Sequence, residues 1–280
     1  MSRQVSRCGG RWGAGQVGDG RLDESPLPGG TANSGLVVRV GDTVRRPVQT
    51  HSAATHDLLG HLERVRFEGA PRFLGIDEQG REILSYVEGV APIKPYPRWA
   101  HGDDVLASVA RLLRAYHDAV ESYDPGDQHW PTHIPAGYGP LLVSHNDPNL
   151  DNVVFRDGEA VGLIDFDLAA PGSRIWDVCV AARLWAPLRA EADVHDSRRG
   201  RSFERLRLFV DAYGLGAAER RLALDALIPS HDWIYRFIES EARAGRAGFA
   251  QYWTGDVPAR TARTRHWLRD SRAALERALA

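Results

Sequence analysis

Lysine is all but missing from this chain. Lys94 is the only one in 280 residues, and every other strong base is arginine. Any role that usually falls to a lysine must be filled otherwise. The one lysine sits in Ile93-Lys94-Pro95, so there is no glycine-lysine-serine/threonine phosphate loop. Cysteine is nearly as scarce: Cys8 and Cys179 cannot build a disulfide framework or a zinc cluster, and a reducing cytoplasm is the expected setting. No apolar run reaches the roughly eighteen residues of a membrane-spanning helix, so no membrane partner is expected. There is no basic excess either. The 35 Lys and Arg face 37 Asp and Glu, a formal charge of -2, which argues against a nucleic-acid partner. A Gly-x-Ser-x-Gly nucleophile elbow is also absent.

What remains is ordinary globular material, 43% hydrophobic and 26% charged, long enough for two lobes around a cleft. Residues 1–24 are rich in Gly and Arg with few apolar side chains, and a disordered tail is expected there. Next come Leu36 to Val40, the turn Gly41-Asp42, and Thr43 to Arg46, which together read as a hairpin. Thr55 to Val65 has helical spacing of Leu58, Leu59 and Leu62. Phe73 to Ile76 and Glu82 to Val87 read as strands around the turn Asp77-Glu78-Gln79-Gly80. Gly89, Pro92, Pro95 and Pro97 then break the pattern. Beyond them Val105, Leu106, Val109, Leu112, Leu113 and Tyr116 mark an amphipathic helix, and the chain from Asp177 onward is helical apart from Pro187, Gly200, Gly214 and Pro229. The expected class is α+β, with a β-rich lobe over residues 25–88 and a mainly helical lobe over 89–280. His51, His56 and His61 recur every five residues, which does not align them on one helix face, and they read as surface histidines.

The chemistry concentrates between Leu141 and Asp177. An apolar run leads into His145-Asn146-Asp147-Pro148-Asn149-Leu150-Asp151-Asn152. Two short strands then flank an Asp157-Gly158 turn, and Asp165-Phe166-Asp167 follows directly. In an antiparallel hairpin Asn152, just before the first strand, meets Asp165, just after the second. Asp147 lies in the loop feeding that end. One amide oxygen and two carboxylates thus converge, a set suited to Mg²⁺ with substrate phosphates completing the shell.

The spacing of His145, Asp147, Asn152 and Asp165 resembles the protein-kinase-like signature. With Ile164-Asp165-Phe166-Asp167 and Trp176-Asp177 it is still more similar to the aminoglycoside phosphotransferase family. The resemblance implies a two-lobed protein-kinase-like fold and transfer of the γ-phosphate of ATP or GTP, with Mg²⁺, to a hydroxyl of a small molecule. It implies Asp147 as catalytic base, Asn152 and Asp165 as metal ligands, and His145 and Asp177 as supports of the catalytic loop. Gly29, Gly30 and Asn33 would cover the phosphates, and Ser85 and Val87 would form the hinge that bonds the nucleobase. Asn146 stands where regulated protein kinases carry an arginine, and the path from Asp165 to Asp177 is too short for a long activation segment, so a small molecule is the expected acceptor.

Two family features are missing. No lysine lies on the second strand, where Arg46 is the best positional match and Arg45 the alternative. No glutamate stands on the following helix, where Thr55 and His56 occupy the region. The acceptor implied is an aminoglycoside or other amino sugar. Asp193, Asp196, Asp232, Glu239 and Glu241 are the carboxylates offered to a cation, and Trp185, Trp233, Tyr235 and Trp253 the rings. The alternatives are a metabolite alcohol such as choline or a sugar as acceptor, or a kinase-fold binding protein with weakened catalysis.

Overall fold

The computed structural model describes residues 23–27 and 35–280. The chain begins with an antiparallel sheet: β1 (Glu24–Pro26), β2 (Val38–Val40) and β3 (Thr43–Pro47). Helix α1 (Ser52–Arg64) follows, then β4 (Phe73–Ile76) and β5 (Arg81–Ser85). The strand order is β1-β2-β3-β5-β4, so β3 and β5 are central neighbours. Glu24, expected to end the tail, instead opens β1: it pairs with Val40, and Arg81 holds its carboxylate at 2.7 Å.

The rest is mainly helical. Helix α2 (Asp103–Ala119) packs its buried stripe of Leu106, Val109, Leu113 and Tyr116 into the core. The pairs β6 (Leu142–Ser144) with β9 (Ala170–Gly172), and β7 (Val153–Arg156) with β8 (Glu159–Leu163), are the only strands after it among the described residues. Then come α3 (Arg174–Trp185), α4 (Ser202–Tyr213), α5 (Ala217–Arg243), α6 (Ala247–Tyr252), α7 (Val257–Asp270) and α8 (Arg272–Leu279). One apolar core runs from Leu58 and Leu62 on α1, through α2 and the hairpin, to Phe209 on α4 and Leu275 on α8. No described helix is long and apolar enough to cross a membrane.

Pro229 does not interrupt the helical pattern as expected, because α5 runs straight through it. Proline removes one N–H and so frees the carbonyl four residues back. That carbonyl, on Asp225, accepts a hydrogen bond from the Tyr138 hydroxyl at 3.4 Å, which re-satisfies it. Gly214, by contrast, does end a helix: at φ 88° it caps α4 in a left-handed conformation that a side chain would strain.

The connection from sheet to helical region runs over Gly89, whose φ is 142°. A Cβ there would lie 2.5 Å from the Phe155 carbonyl oxygen, so only glycine allows this approach. The next residue, Val90, pairs with Phe155 in both directions, tying the linker to β7. The floor of the interlobe cleft is thereby fixed to the hairpin that carries the candidate site.

Candidate active site

The hairpin closes as its Asp-Gly turn dictates. Asp157 (φ 52°) and Gly158 (φ 83°) both take the positive φ of a tight two-residue turn. At the open end Val153 pairs with Leu163, and the Ile164 N–H donates to the Asn152 carbonyl at 2.9 Å. Asn152 and Asp165 are therefore held side by side at the rim of the cleft. Asp165 itself has φ 62°, in the left-handed region that few non-glycine residues adopt, aspartate and asparagine more readily than most.

Asp147 is held from both of its oxygens. The Asn149 amide donates to Oδ1, and the Asn152 amide donates to Oδ2 at 2.9 Å and to the Asp147 carbonyl at 2.9 Å. With its amide nitrogen so engaged, Asn152 keeps Oδ1 without a protein donor among the described residues. Burial, then the neighbouring charges of Asp165 and Asp151, push the Asp147 carboxyl well above the usual carboxylate range. Burial and Asp167 likewise push Asp165 up to about 7, against the pull of Arg46.

The loop below them hangs on one buried carboxylate. Asp177, at the first turn of α3, accepts from the backbone N–H groups of His145 (2.7 Å) and Asn146 (2.9 Å) and from His117 Nε2 (3.0 Å). Burial alone would raise its pKa, but the His117 hydrogen bond and the loop donors hold it below the usual value. His145 is fully buried, and burial pushes it down to about 4. The neutral ring suits its contacts: Nε2 donates to the Ile164 carbonyl at 3.1 Å and Nδ1 accepts from the Asp147 N–H at 3.3 Å. Asn146, at φ 65°, is clamped by the Leu168 carbonyl (2.9 Å) and the Trp176 indole (3.1 Å).

Opposite the hairpin stands Arg46 on β3, almost fully buried. Its Nη1 lies 2.8 Å from Asp167 and 3.3 Å from Asp165, and its Nε donates to Glu82. Burial opposes the charge, but Asp167, Asp165 and Glu82 together raise the guanidinium pKa above its ordinary value. Arg45, the alternative by spacing, belongs to the other face, where it meets Thr43 and Asp77. The acidic partner that the sequence left unassigned is Glu82. It sits directly across from Arg46 in the β3–β5 register, and its far oxygen meets His56 of α1. His56 is therefore no surface histidine; its ring also stacks on Phe73 at 3.6 Å. His61 is buried, and its Nε2 donates to the Ala119 carbonyl at 2.9 Å. His51 has a buried Nε2 without a partner, and burial lowers its pKa. The signal for Glu82 was present in the alternation of β5, where Glu82 and Leu84 share the inward face. A charge at an inward strand position requires a buried partner.

Between sheet and hairpin lies a cleft of about 360 Å³. Val37, Val44, Leu84 and Val154 are among its apolar walls, and Arg46, Asn152 and Asp165 form its polar end. Ser85 and Val87 both line it, but Ser85 cannot offer its N–H, which the Arg72 carbonyl takes at 2.9 Å while its hydroxyl accepts from the Arg72 N–H. The Tyr86 N–H is likewise taken by Asp42. Of the N–H groups of residues 85–87, that of Val87 alone has no protein acceptor among the described residues. Gly29, Gly30 and Asn33 lie outside the described residues. No three carboxylate, imidazole or thiolate groups converge to hold a metal among the described residues. The donors that fit Mg²⁺ are the hard oxygens of Asn152 and Asp165, one neutral and one charged, which would leave the remaining positions to phosphate and water.

A phosphotransferase enzyme family model matches residues 125–209, the stretch that carries this loop and hairpin. Over 270 residues the chain is 32% identical to the trifolitoxin immunity protein of Rhizobium leguminosarum bv. trifolii, covering 92% of this chain and 99% of that one. Its fold is similar to a choline/ethanolamine kinase family protein from Mesorhizobium loti, with a TM-score of 0.61 at 16% identity over 94% of this chain and 96% of that one. It is also similar to APH(2")-IIa in its gentamicin complex, with a TM-score of 0.56 at 13% identity over 91% and 93% of the two chains. The two-lobed kinase-like architecture expected from the sequence is therefore the observed one.

Proposed function

The chain belongs to the phosphotransferase enzyme family, and we propose that it moves the γ-phosphate of ATP or GTP onto a hydroxyl of a small molecule, with Mg²⁺. The observation that carries this reading is the placement of Asn152 and Asp165 at the polar end of the cleft, facing Arg46, with Asp147 bonded to Asn152 beside them. The apolar walls suit a nucleobase and the polar end suits its phosphates. Arg46 neutralises phosphate charge in place of a lysine, and Glu82 with His56 keeps it pointing there. Asn152 and Asp165 are the residues that would hold Mg²⁺, which when bound neutralises charge on the phosphates. Asp147 orients the acceptor hydroxyl in line with the γ-phosphorus and takes up its proton as the new P–O bond forms and the nucleoside diphosphate leaves. Catalysis of this kind rests on positioning and electrostatics.

The immunity protein among its relatives supports a protective role, in which phosphorylation inactivates a toxic compound; a metabolite alcohol as acceptor is the alternative. The test is nucleotide turnover with Mg²⁺ across a panel of hydroxyl compounds, for the wild type and for Asp147→Asn. Turnover that survives Asp147→Asn at the wild-type rate sinks the assignment.

A further inference from the structure

The five carboxylates expected to serve a cationic acceptor are all engaged by arginines of the chain itself. Asp193 pairs with Arg263 (2.7 Å), Asp196 with Arg198 (2.7 Å), Asp232 with Arg265 (2.8 Å), Glu239 with Arg243 (2.7 Å) and Glu241 with Arg246 (2.5 Å). Two of the four expected rings are buried and bonded: Trp185 donates to the Pro148 carbonyl at 2.9 Å, and Trp233 to the His133 carbonyl. Asp151 is different. Among the described residues no base lies within 4.0 Å of it, and its one side-chain partner is the Tyr96 hydroxyl, which donates to Oδ1 at 3.3 Å.

Asp151 sits in the short 3₁₀ turn Leu150–Asn152 that leads into β7, and it lines the interlobe cleft. Its place along the cleft follows from register. Val90 pairs with Phe155 in the antiparallel sense, so each step along the linker from Val90 matches a step back along β7. Ala91 and Ile93, which also line the cleft, thus run down towards Asn152 and Asp151, and Tyr96 just beyond them reaches the Asp151 carboxylate. Residues 84–87 wall one end of the cleft, and Arg46, Asn152 and Asp165 form the other. A nucleotide with its base against the apolar walls and its phosphates at the polar end carries its sugar past Ile93 and Asp151. Tyr96 packs against the core, and burial together with the Asp151 charge raises its pKa, so the hydroxyl keeps its proton and stays a donor. That bond fixes one oxygen of Asp151. The other, Oδ2, has no donor among the described residues. A carboxylate accepts and does not donate, so what Oδ2 lacks is a ligand hydroxyl or ammonium.

We propose that Asp151 holds the ribose of the phosphoryl donor, its Oδ2 accepting from the 2′ or 3′ hydroxyl while Tyr96 fixes Oδ1. This rests on the phosphotransferase reading and adds a requirement on the donor: a ribonucleotide rather than a nucleotide lacking those hydroxyls. A hydroxyl donating to a charged oxygen makes a short and strong bond, and acidic side chains serve ribose hydroxyls in the same way in unrelated dinucleotide folds. The cation of an acceptor is the rival occupant. The cleft favours the ribose, because Asp151 borders the same continuous space as the apolar walls and the phosphate end.

The experiment is calorimetric titration of the full chain, with Mg²⁺ and without acceptor. The probes are ATP and its 2′-deoxy, 3′-deoxy and 2′,3′-dideoxy forms, or the guanine series if GTP binds more tightly. The wild type should bind the ribonucleotide roughly tenfold more tightly than the dideoxy form, and the two single-deoxy forms identify the hydroxyl that is held. In Asp151→Ala that preference should fall to roughly twofold or less. The comparison is between ligands of equal charge, so the loss of a negative charge near the phosphates cancels from it. Asp151→Asn keeps the shape of the side chain and serves if Asp151→Ala lowers the melting temperature; its preference should fall by at least about threefold. A wild type that binds ribo and dideoxy forms equally, or variants that keep the wild-type preference, overturns the proposal and leaves the phosphotransferase reading standing. A wild type that binds none of these nucleotides overturns both.

Discussion

Arg46 and Asp167 form an ion pair of 2.8 Å that joins the central strand of the sheet to the segment just beyond the β7–β8 hairpin. The same guanidinium holds Glu82 behind it and Asp165 beside it. A single arginine thus touches the candidate metal ligand, the residue two steps on, and the buried acid of its own sheet.

Arg46→Ala should raise the nucleotide KM and lower kcat, with a combined loss of roughly a hundredfold in kcat/KM. Arg46→Lys should keep part of the activity, because an ammonium is one point charge and cannot reach Glu82 and the two aspartates together. Arg45→Ala, on the other face, should be nearly silent. Steady-state kinetics over nucleotide concentration separates the three.

Removing Glu82 leaves Arg46 buried with its inner nitrogen unpaired. Glu82→Ala should cost about 3 kcal/mol of stability, the lower end of the range for breaking a buried pair, since two aspartates remain. His56→Ala should cost less and should act on nucleotide affinity through Glu82. Urea unfolding of both variants measures the difference.

Asp147→Ala should lower the transfer rate by about 10²–10⁴-fold while leaving nucleotide affinity within about twofold. In the proposed site the nucleotide phosphates fall to Arg46 and the metal ligands rather than to Asp147. Single-turnover rates, with nucleotide binding followed separately, check both halves.

Asp165→Ala should raise the Mg²⁺ concentration for half-maximal rate more than Asn152→Ala does, since a charged oxygen is lost rather than a neutral one. Asn152→Ala should carry a second defect, because it also frees Asp147 Oδ2. Unchanged Mg²⁺ dependence in both variants would contradict their assignment as ligands.

His145 is held neutral, with its pKa near 4 against about 6.5 for an exposed imidazole. Between those values the unfolded chain binds the extra proton and the native chain does not. His145 therefore contributes a loss of stability as pH falls from about 6.5 to about 4, amounting to about 3 kcal/mol at the acid end. His145→Gln should flatten the pH dependence of the melting temperature in that window relative to wild type. An unaltered slope would show the ring to be accessible to protons.

Much of this was legible in the sequence because the site is local. His145, Asp147, Asn152 and Asp165 lie within a short stretch, and the Asp157-Gly158 turn alone dictates that Asn152 and Asp165 meet. Asp177, which the family resemblance implied as a support of the loop, accepts from the His145 and Asn146 N–H groups. Glu82 was not recognised because its partner is 36 residues away, and the pairing depends on strand register rather than on spacing along the chain. The same limit applies to the acceptor wall. Asp232 looks like a free acid in a helical sequence, and only packing shows that Arg265 of another helix already holds it, whereas the Glu239–Arg243 pair follows from i,i+4 spacing on one helix. Pro229 misled for a different reason: the carbonyl it frees is bonded by Tyr138, from a loop far away in the chain.

The position of Glu82 has one further effect. In protein kinases the acid that holds the phosphate-binding base stands on a mobile helix, and moving that helix turns the enzyme on or off. Here acid and base are opposite residues of adjacent strands, fastened by the ladder of the sheet itself. A swing of α1 can withdraw His56 but cannot part Arg46 from Glu82. In the proposed phosphotransferase this arrangement gives up that means of control, because the acid–base pair stays assembled across the sheet whatever α1 does.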